Sequence, residues 1–280
     1  MTRRDHSLPD LAGQRVLVTG ASGGIGGGIA RRFAAAGARL ALHYRGASTS
    51  STDAAFALVE ELRELGAEAV AVRADLADAG SAERLVDDAV RALGGLDGVV
   101  NNAGIQPLQM LAETSREAWD EVLATNLGAV FEVSRAAAAA MGVDAESGHA
   151  GPDVGPRGSA PRNRWITHIA SIEASRPAPA HAHYAVAKAG LVMHARAAAL
   201  ELGPLGIRVN TVSPGLVARP GLAEAWPEGV ASWESTAPLG RLATTSDIGN
   251  ACVLLASDAA AFITGQDLAV DGGMLATPGW

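Results

Sequence analysis

One stretch restricts this chain more than any other: a glycine run set between a β-branched segment and a helix. Arg15 to Thr19 (Arg-Val-Leu-Val-Thr) stops at Gly20, and Ala21, Ser22, Gly23, Gly24, Ile25 and Gly26 follow. Gly27 and Gly28 lead into the helical run Ile29 to Ala36, closed by Gly37. Strand, glycine loop and helix together aim backbone N–H groups and a helix N-terminus at one point, where a phosphate is held. Glycine is required because the backbone turns tightly and a side chain would keep a pyrophosphate away. The spacing is T-G-x-x-x-G-x-G, not G-x-G-x-x-G. A bare turn would explain the glycines alone, but their place at the first strand-to-helix joint favours a dinucleotide.

The rest of the chain repeats the alternation. The second strand is expected over Arg39 to His43, then a helix from about Asp53 to Leu65 and a strand from Ala67 to Arg73. A helix over Ser81 to Leu93 precedes the strand Gly98 to Val100 and the turn Asn101, Asn102, Ala103, Gly104, which suits a tight loop that locks neighbouring backbone and admits a flat ring. Ser115 to Met141 reads as helical throughout, Trp165 to Ala170 as a strand, Ile207 to Val212 as another, Ser246 to Leu255 as a serine-capped helix and Asp267 to Val270 as the last strand. Such alternation predicts an α/β fold, a parallel sheet wrapped on both faces. Residues 1–10 read as a tail and 11–280 as one dinucleotide-binding catalytic domain. Composition shifts to Gly, Pro, Ser and charge over 142–164, which reads as a surface insertion, with a functional lid as the alternative. Residues 216–245 carry Trp226 and Trp233 with little periodicity, and read as a loop with short helices covering the site.

At the end of the second strand come Tyr44, Arg45 and Ser48, and no Asp or Glu occurs between Arg39 and Ser51. An acidic residue there takes the adenosine ribose hydroxyls, whereas an arginine accommodates a 2′-phosphate. Arg45 helped by Ser48 is the natural clamp, so NADP is preferred and NAD remains possible. A basic side chain at Gly23 would have strengthened that reading. Asp75 and Leu76 fall at a strand end, where Asp75 is either an acceptor for the adenine amino group or an ordinary helix cap.

Net charge excludes some partners. With 22 Lys and Arg against 30 Asp and Glu, the formal charge is -8 and the arginines are scattered, which argues against a nucleic-acid surface. The one cysteine, Cys252, lies in an apolar helical pattern and reads as a buried inert thiol. No run reaches the roughly 18 apolar residues of a membrane span. Nor does Met1 to Asp10 resemble a signal peptide, so a soluble cytoplasmic protein is expected.

Chemistry is expected in Ser171 to Lys188. Tyr184 and Lys188 lie four apart on an alanine-rich helix, hence on one face one turn apart. A free tyrosine ionises near pH 10, about three units above neutrality, and a neighbouring ammonium favours the phenolate. Ser171 can return through the loop and donate a hydrogen bond to a carbonyl oxygen gaining negative charge. Any alanine-rich helix can carry such a pair by coincidence; the rest of the chain decides. Asn126 occupies a helix interior, where it costs about half a kcal/mol against Ala. It is a solvated residue, a kink, or an amide holding a water beside the lysine.

Taken together, Thr19 to Gly26, Asn101 to Gly104, Asn126, Ser171, Tyr184, Lys188 and Pro214-Gly215 resemble the short-chain dehydrogenase/reductase family over about residues 11 to 275. The ordered set, with serine thirteen positions before the tyrosine of Y-x-x-x-K, is its strongest part. The resemblance implies a single-domain, Rossmann-like, doubly wound fold with a seven-stranded parallel sheet and a nicotinamide cofactor. It also implies a proton relay through Asn126, water, Lys188, the cofactor ribose and Tyr184. Tyr184 is then the general acid in reduction, Ser171 holds the substrate oxygen and Lys188 also binds the ribose. Cofactor contacts extend to Asn102, Ala103, Gly104, Pro214, Gly215 and Val217, and dimers or tetramers built on the long helices are implied. Relatives usually place a threonine shortly after Pro-Gly, whereas this chain has Arg219, assigned to the carboxamide or an anionic substrate group.

Gln106, Glu173, His181, Met193 and Trp226 are the candidates for facing the substrate. Glu173 suits a polyhydroxylated or amine-bearing substrate, or is a solvated loop carboxylate. His181 and His183 lack the further convergent ligands that zinc needs, so no metal is expected. The expected activity is NADPH-dependent reduction of a ketone or aldehyde, or the reverse alcohol oxidation, in the manner of a 3-oxoacyl-carrier-protein reductase. The alternatives are a sugar or polyol dehydrogenase and a non-catalytic dinucleotide sensor.

Overall fold

The computed structural model describes residues 7–142 and 163–278. Met1 to His6 and most of the 142–164 segment therefore lie outside the described residues. Seven parallel strands form one sheet: β1 (Arg15–Val18), β2 (Arg39–Tyr44), β3 (Ala69–Arg73), β4 (Gly98–Asn101), β5 (Arg164–Ile169), β6 (Ile207–Pro214) and β7 (Asp267–Val270). Their order across the sheet is β3-β2-β1-β4-β5-β6-β7. The chain winds outward from β1 to β3, then returns to lay β4 beside β1 and winds the other way. That reversal opens a crevice at the carboxyl ends of β1 and β4.

Alternation along the strands feeds two cores. Val16 and Val18 face the layer made by α1 (Gly24–Ala35), α2 (Thr49–Glu64) and α9 (Thr245–Ala256). Leu17 points the other way, toward α3 (Ser81–Leu93), α5 (Ala129–Ala140) and α6 (Ala182–Leu202). Trp165 stacks on Phe33 with ring centroids 5.4 Å apart. Its indole N–H donates to Gln14 Oε1 at 3.0 Å, which satisfies the one polar atom this ring brings into the core.

Several element bounds differ from the sequence reading for identifiable reasons. The expected helix over Ser115 to Met141 divides into α4 (Arg116–Leu123), a π-helical turn at Ala124–Gly128 and α5. Such wide turns accommodate an extra residue where a side chain is needed at a site. α2 begins at Thr49, not near Asp53, because Ser48 caps it by accepting the Ser51 N–H at 3.2 Å. α9 is capped by Thr244, not Ser246. The Thr244 hydroxyl accepts the Asp247 N–H at 3.2 Å and the Asp247 carboxylate accepts the Thr244 N–H at 2.7 Å, closing a reciprocal box. The 216–245 segment carries α7 (Leu222–Ala225) and α8 (Pro227–Thr236), as expected of a loop with short helices.

α1 lies directly on α9, and glycine makes that approach possible. A Cβ on Gly28 would stand 2.2 Å from Thr245 Cβ, and one on Gly249 would stand 2.6 Å from Arg32 Cγ. Gly28→Ala is expected to force the two helices apart at a cost of about 1–3 kcal/mol. Thermal unfolding followed by circular dichroism should then show a melting point several degrees below that of the parent chain.

Candidate active site

The crevice is built by hydrogen bonds between the first turn and the fourth strand. Thr19 Oγ1 accepts the N–H groups of Asn102 at 2.9 Å and Ala103 at 3.0 Å. Asn102 Nδ2 donates to the carbonyls of Thr19 at 2.9 Å and Gly20 at 3.2 Å. The Asn101 to Gly104 turn thus locks its neighbours as its composition suggested. Gly20 has φ 66°, and a Cβ there would meet Ala103 Cα at 2.9 Å. A Cβ on Gly26 would lie 2.3 Å from the Gly20 carbonyl oxygen. A Cβ on Gly24 would meet nothing within 4 Å and one on Gly23 only the Gly20 carbonyl oxygen at 3.5 Å, and no side chain caps the N-terminus of α1. Free N–H groups at an uncapped twelve-residue helix, beside a floor without side chains, fit a pyrophosphate.

Of the remaining residues read as cofactor contacts, Ser22 Oγ lies 3.4 Å from Ser51 Oγ, and Ile25 packs into the core beneath the loop. Tyr44 departs from expectation. Its side chain is buried edge-on against Phe56 of α2 and fills the sheet-to-helix interface, not the crevice. Arg45 is exposed at the end of β2. Asp75 is not a helix cap, since α3 is preceded by Gly80; its carboxylate accepts the Ala77 N–H at 3.1 Å, and Leu76 joins the second core. Pro214 ends β6, the Gly215 N–H donates to the Val270 carbonyl at 3.0 Å, and Val217 bridges Ala243.

Asn126, Ser171, Tyr184 and Lys188 come together at the mouth of this crevice. Asn126 is fully buried in the π turn and clasps the Ile105 peptide: its Oδ1 accepts the N–H and its Nδ2 donates to the carbonyl, both at 2.8 Å. It is therefore neither solvated nor a bare kink. A Cβ on Gly104 would stand 2.7 Å from Asn126 Oδ1 and 3.9 Å from Lys188 Nζ, which brings the turn, the amide and the lysine to one spot. Lys188 is buried, donates to the Ile169 carbonyl at 2.7 Å and lies 5.4 Å from the centre of the Tyr184 ring.

Electrostatics correct one expectation outright. The phenol is not made more acidic: burial pushes Tyr184 up to about 12, and the Ser171 hydroxyl pulls back only in part, while the nearby Glu173 carboxylate adds to the rise. Burial also pushes Lys188 down to about 8. Desolvation penalises both charged forms and is the largest cause of each shift. At neutral pH the pair is a protonated phenol beside an ammonium, the state suited to giving a proton away.

Around this centre, Gln106 Nε2 donates to Glu173 Oε1 at 3.2 Å, and Glu173 Oε2 pairs with His181 Nδ1 at 2.8 Å. The His181 ring sits 5.9 Å from that of Tyr184. Two further candidates are exposed. Met193 is 60% exposed on the outer side of α6, and Trp226 is half-exposed with its ring against Gly229. The tryptophan that reaches the crevice is Trp233, packed where a Cβ on Gly215 would come within 2.7 Å of its Cζ2. Arg219 is exposed beyond β6.

Sequence reading also passed over two histidines. His43 Nδ1 accepts the Gly20 N–H at 3.1 Å and Nε2 lies 3.0 Å from the Ala74 carbonyl, pinning the glycine turn to the end of β3. His168 is fully buried, 3.2 Å from Asn101 Nδ2 and 3.1 Å from His194 Nδ1. Burial first, then the charges of His194 and Lys188, push it down to about 3. Neither residue belongs to a motif; a histidine at a strand end was the only signal. Cys252 is buried, with its thiol pushed up by burial, and among the described residues no cluster of His, Cys, Asp and Glu could hold a metal ion.

Residues 14–229 match the family described as short chain dehydrogenase. The chain is 38% identical over 270 residues to an L-rhamnose 1-dehydrogenase (NAD(P)(+)) of Azotobacter vinelandii, covering 94% of this chain and 97% of that protein. It is 34% identical over 258 residues to a 3-oxoacyl-[acyl-carrier-protein] reductase of Staphylococcus aureus, covering 92% and 96%. Among solved structures, a 7α-hydroxysteroid dehydrogenase complexed with NADH and 7-oxo-glycochenodeoxycholic acid superposes with a TM-score of 0.81 at 31% identity, covering 94% of this chain and 95% of the other.

Tyr184→Phe removes the only phenol at this mouth and should lower turnover by about 10²–10⁴-fold with the fold intact by circular dichroism. The ammonium of Lys188 is present below its value of about 8 and lost above it. The rate of carbonyl reduction is therefore expected to be flat on the acid side and to fall by about tenfold per pH unit on the alkaline side of that point, in an initial-rate pH profile read from nicotinamide absorbance.

Proposed function

The chain belongs to the short-chain dehydrogenase/reductase family and is an NAD(P)-dependent oxidoreductase of small carbonyl or alcohol compounds, and from that premise we propose the roles of its residues and its substrate. Residues 11–280 act as one catalytic unit. The nicotinamide, when bound, supplies or accepts the hydride. Tyr184 gives its proton to the substrate oxygen during reduction, and Ser171 donates a hydrogen bond to that oxygen as charge builds on it. Lys188 stabilises the phenolate that remains and binds the ribose. Asn126 fixes the Ile105 peptide and stands at the start of the proton path to solvent.

The substrate is a polyhydroxylated carbonyl compound or its alcohol, of the aldose and polyol class. One observation carries this: Gln106, Glu173 and His181 form a chain of hydrogen bonds beside the Tyr184 ring, an array of donors and acceptors matched to hydroxyl groups. The similarity to an L-rhamnose dehydrogenase agrees with it. A second reading, 3-oxoacyl thioester reduction, rests on an adjoining groove of about 530 Å³ lined by Met110, Leu111 and Pro177 to Ala180, which suits an acyl chain. NADP is the preferred dinucleotide, on the exposed Arg45 and the absence of Asp and Glu from Arg39 to Ser51. The exposed Phe131 on α5, with Met193 and Leu200 on α6, supports a homodimer or homotetramer through that face.

Initial rates with NADPH and NADH across aldoses, polyols, 3-oxoacyl thioesters and plain ketones should be highest with a hydroxylated substrate. Glu173→Gln and His181→Ala should each raise the KM for that substrate by about tenfold, leaving the KM for the dinucleotide within about twofold. Fastest turnover of a plain ketone or a thioester, untouched by either change, would refute the polyol assignment.

A further inference from the structure

At the other end of the crevice, β2 and β3 finish beside a cavity of about 450 Å³. Three guanidinium groups line it: Arg45 after β2, Arg73 at the end of β3 and Arg84 on α3. Among the described residues Arg45 and Arg73 make no ion pair or hydrogen bond, and Arg84 has only a long one of 3.4 Å to the Ala79 carbonyl. Elsewhere arginines take carboxylates, as Arg31 does with Glu61, Arg63 with Glu60 and Arg241 with Asp247. Carboxylates are at hand here as well, because Asp75, Asp78 and Asp88 line the same cavity. Asp75 nevertheless turns to the Ala77 N–H and Asp88 to Arg91, and among the described residues none of the three, Asp78 included, pairs with Arg45, Arg73 or Arg84. The Ser81 hydroxyl, buried at the start of α3, has no hydrogen-bond partner. Unspent cations with an unspent hydroxyl describe a place for an anion.

Gly46 leaves room for one of these arginines. Tyr44 is the register partner of Arg73 across the β2–β3 pair, so the Arg73 side chain starts level with the last residue of β2. It then runs over Gly46: a Cβ there would lie 2.7 Å from Arg73 Nε and 3.1 Å from Arg73 Cδ. Gly46 also has φ 69°. Any side chain at this position would push Arg73 from its course across the end of β2, and the backbone conformation disfavours one. A phosphate monoester carries close to two negative charges at neutral pH, more than one exposed guanidinium can balance. Gly23 leaves the glycine loop without a cation to supply the second charge.

We propose that Arg73, laid across Gly46, is a second determinant of dinucleotide choice, closing on the 2′-phosphate of NADP from the β3 side while Arg45 closes from the β2 side. This rests on the NADP preference inferred above. It differs in assigning the discrimination to two adjacent strands, with Gly46 as the spacer that lets both arginines reach one phosphate. Arg73 touches only the added phosphate, so it separates NADP from NAD and is neutral to everything the two share.

Calorimetric titration with 2′,5′-ADP and with 5′-AMP isolates this end of the crevice from substrate and from turnover. The parent chain should bind 2′,5′-ADP the more tightly. Arg73→Gln should shrink the ratio of the two affinities by at least about tenfold, as expected for loss of one charge-assisted contact, and Arg73→Lys should restore part of it. Gly46→Val should act on the same ratio with both arginines still present. Equal weakening of both nucleotides in Arg73→Gln, or an unchanged ratio with a native circular dichroism spectrum, would overturn the role of Arg73 and leave the NADP reading standing. Equal affinities in the parent chain would overturn both.

Discussion

The arrangement turns on one buried ammonium. Lys188 spends a hydrogen bond on the Ile169 carbonyl, at the carboxyl end of the central strand β5, and so ties the long helix α6 to the sheet at the level where the crevice opens. An unpaired ammonium inside a protein is costly, and the fold tolerates it by aiming a backbone dipole and a bare glycine turn at it. Every other member of the centre is referred to that point. Tyr184 stands one helical turn before it, Ser171 two residues past Ile169, and Asn126 beyond Gly104.

Burial sets the resting protonation of the pair in a way that proximity alone does not. Raising the phenol from 10.0 to about 12 and lowering the ammonium from 10.5 to about 8 drives apart two proton affinities that are ordinarily alike. A phenol that holds its proton firmly at neutral pH is an acid in waiting. In the roles proposed above, the charge that draws that proton off appears on the substrate oxygen, where Ser171 meets it, while Lys188 stabilises the phenolate left behind. The Glu173 carboxylate works against ionisation of Tyr184.

Much of this was legible in the residues, and the limits have physical causes. Strand, glycine loop and helix at Arg15 to Ala36 gave the sheet and its crevice because local chemistry alone demands them. Y-x-x-x-K gave the helix face for the same reason. Asn126 was visible as an anomaly, yet its meaning depended on the Ile105 peptide, twenty-one positions away, and so did the widened turn. Thr244 and Ser246 were rival caps two positions apart, decided by the Asp247 carboxylate reaching back to the first. Trp226 and Trp233 are indistinguishable by composition; only the packing of α8 against Gly215 separates them. Tyr44 read as a crevice residue from its place in the chain, but an aromatic partner on α2 drew it inward. The sign of the phenol shift depended on how much water the fold excludes, a quantity no spacing encodes.

The bare contact between α1 and α9 has a bearing on how the molecule can move. Gly28 against Thr245 and Gly249 against Arg32 join a helix rising from the first winding to one belonging to the second, at a separation too small for either to slide past the other. The contact fastens the two windings together, so any hinge between β1 and β4 would first have to part these helices. Beyond Pro214 the same economy recurs, since Trp233 lies where only a glycine at position 215 leaves it room.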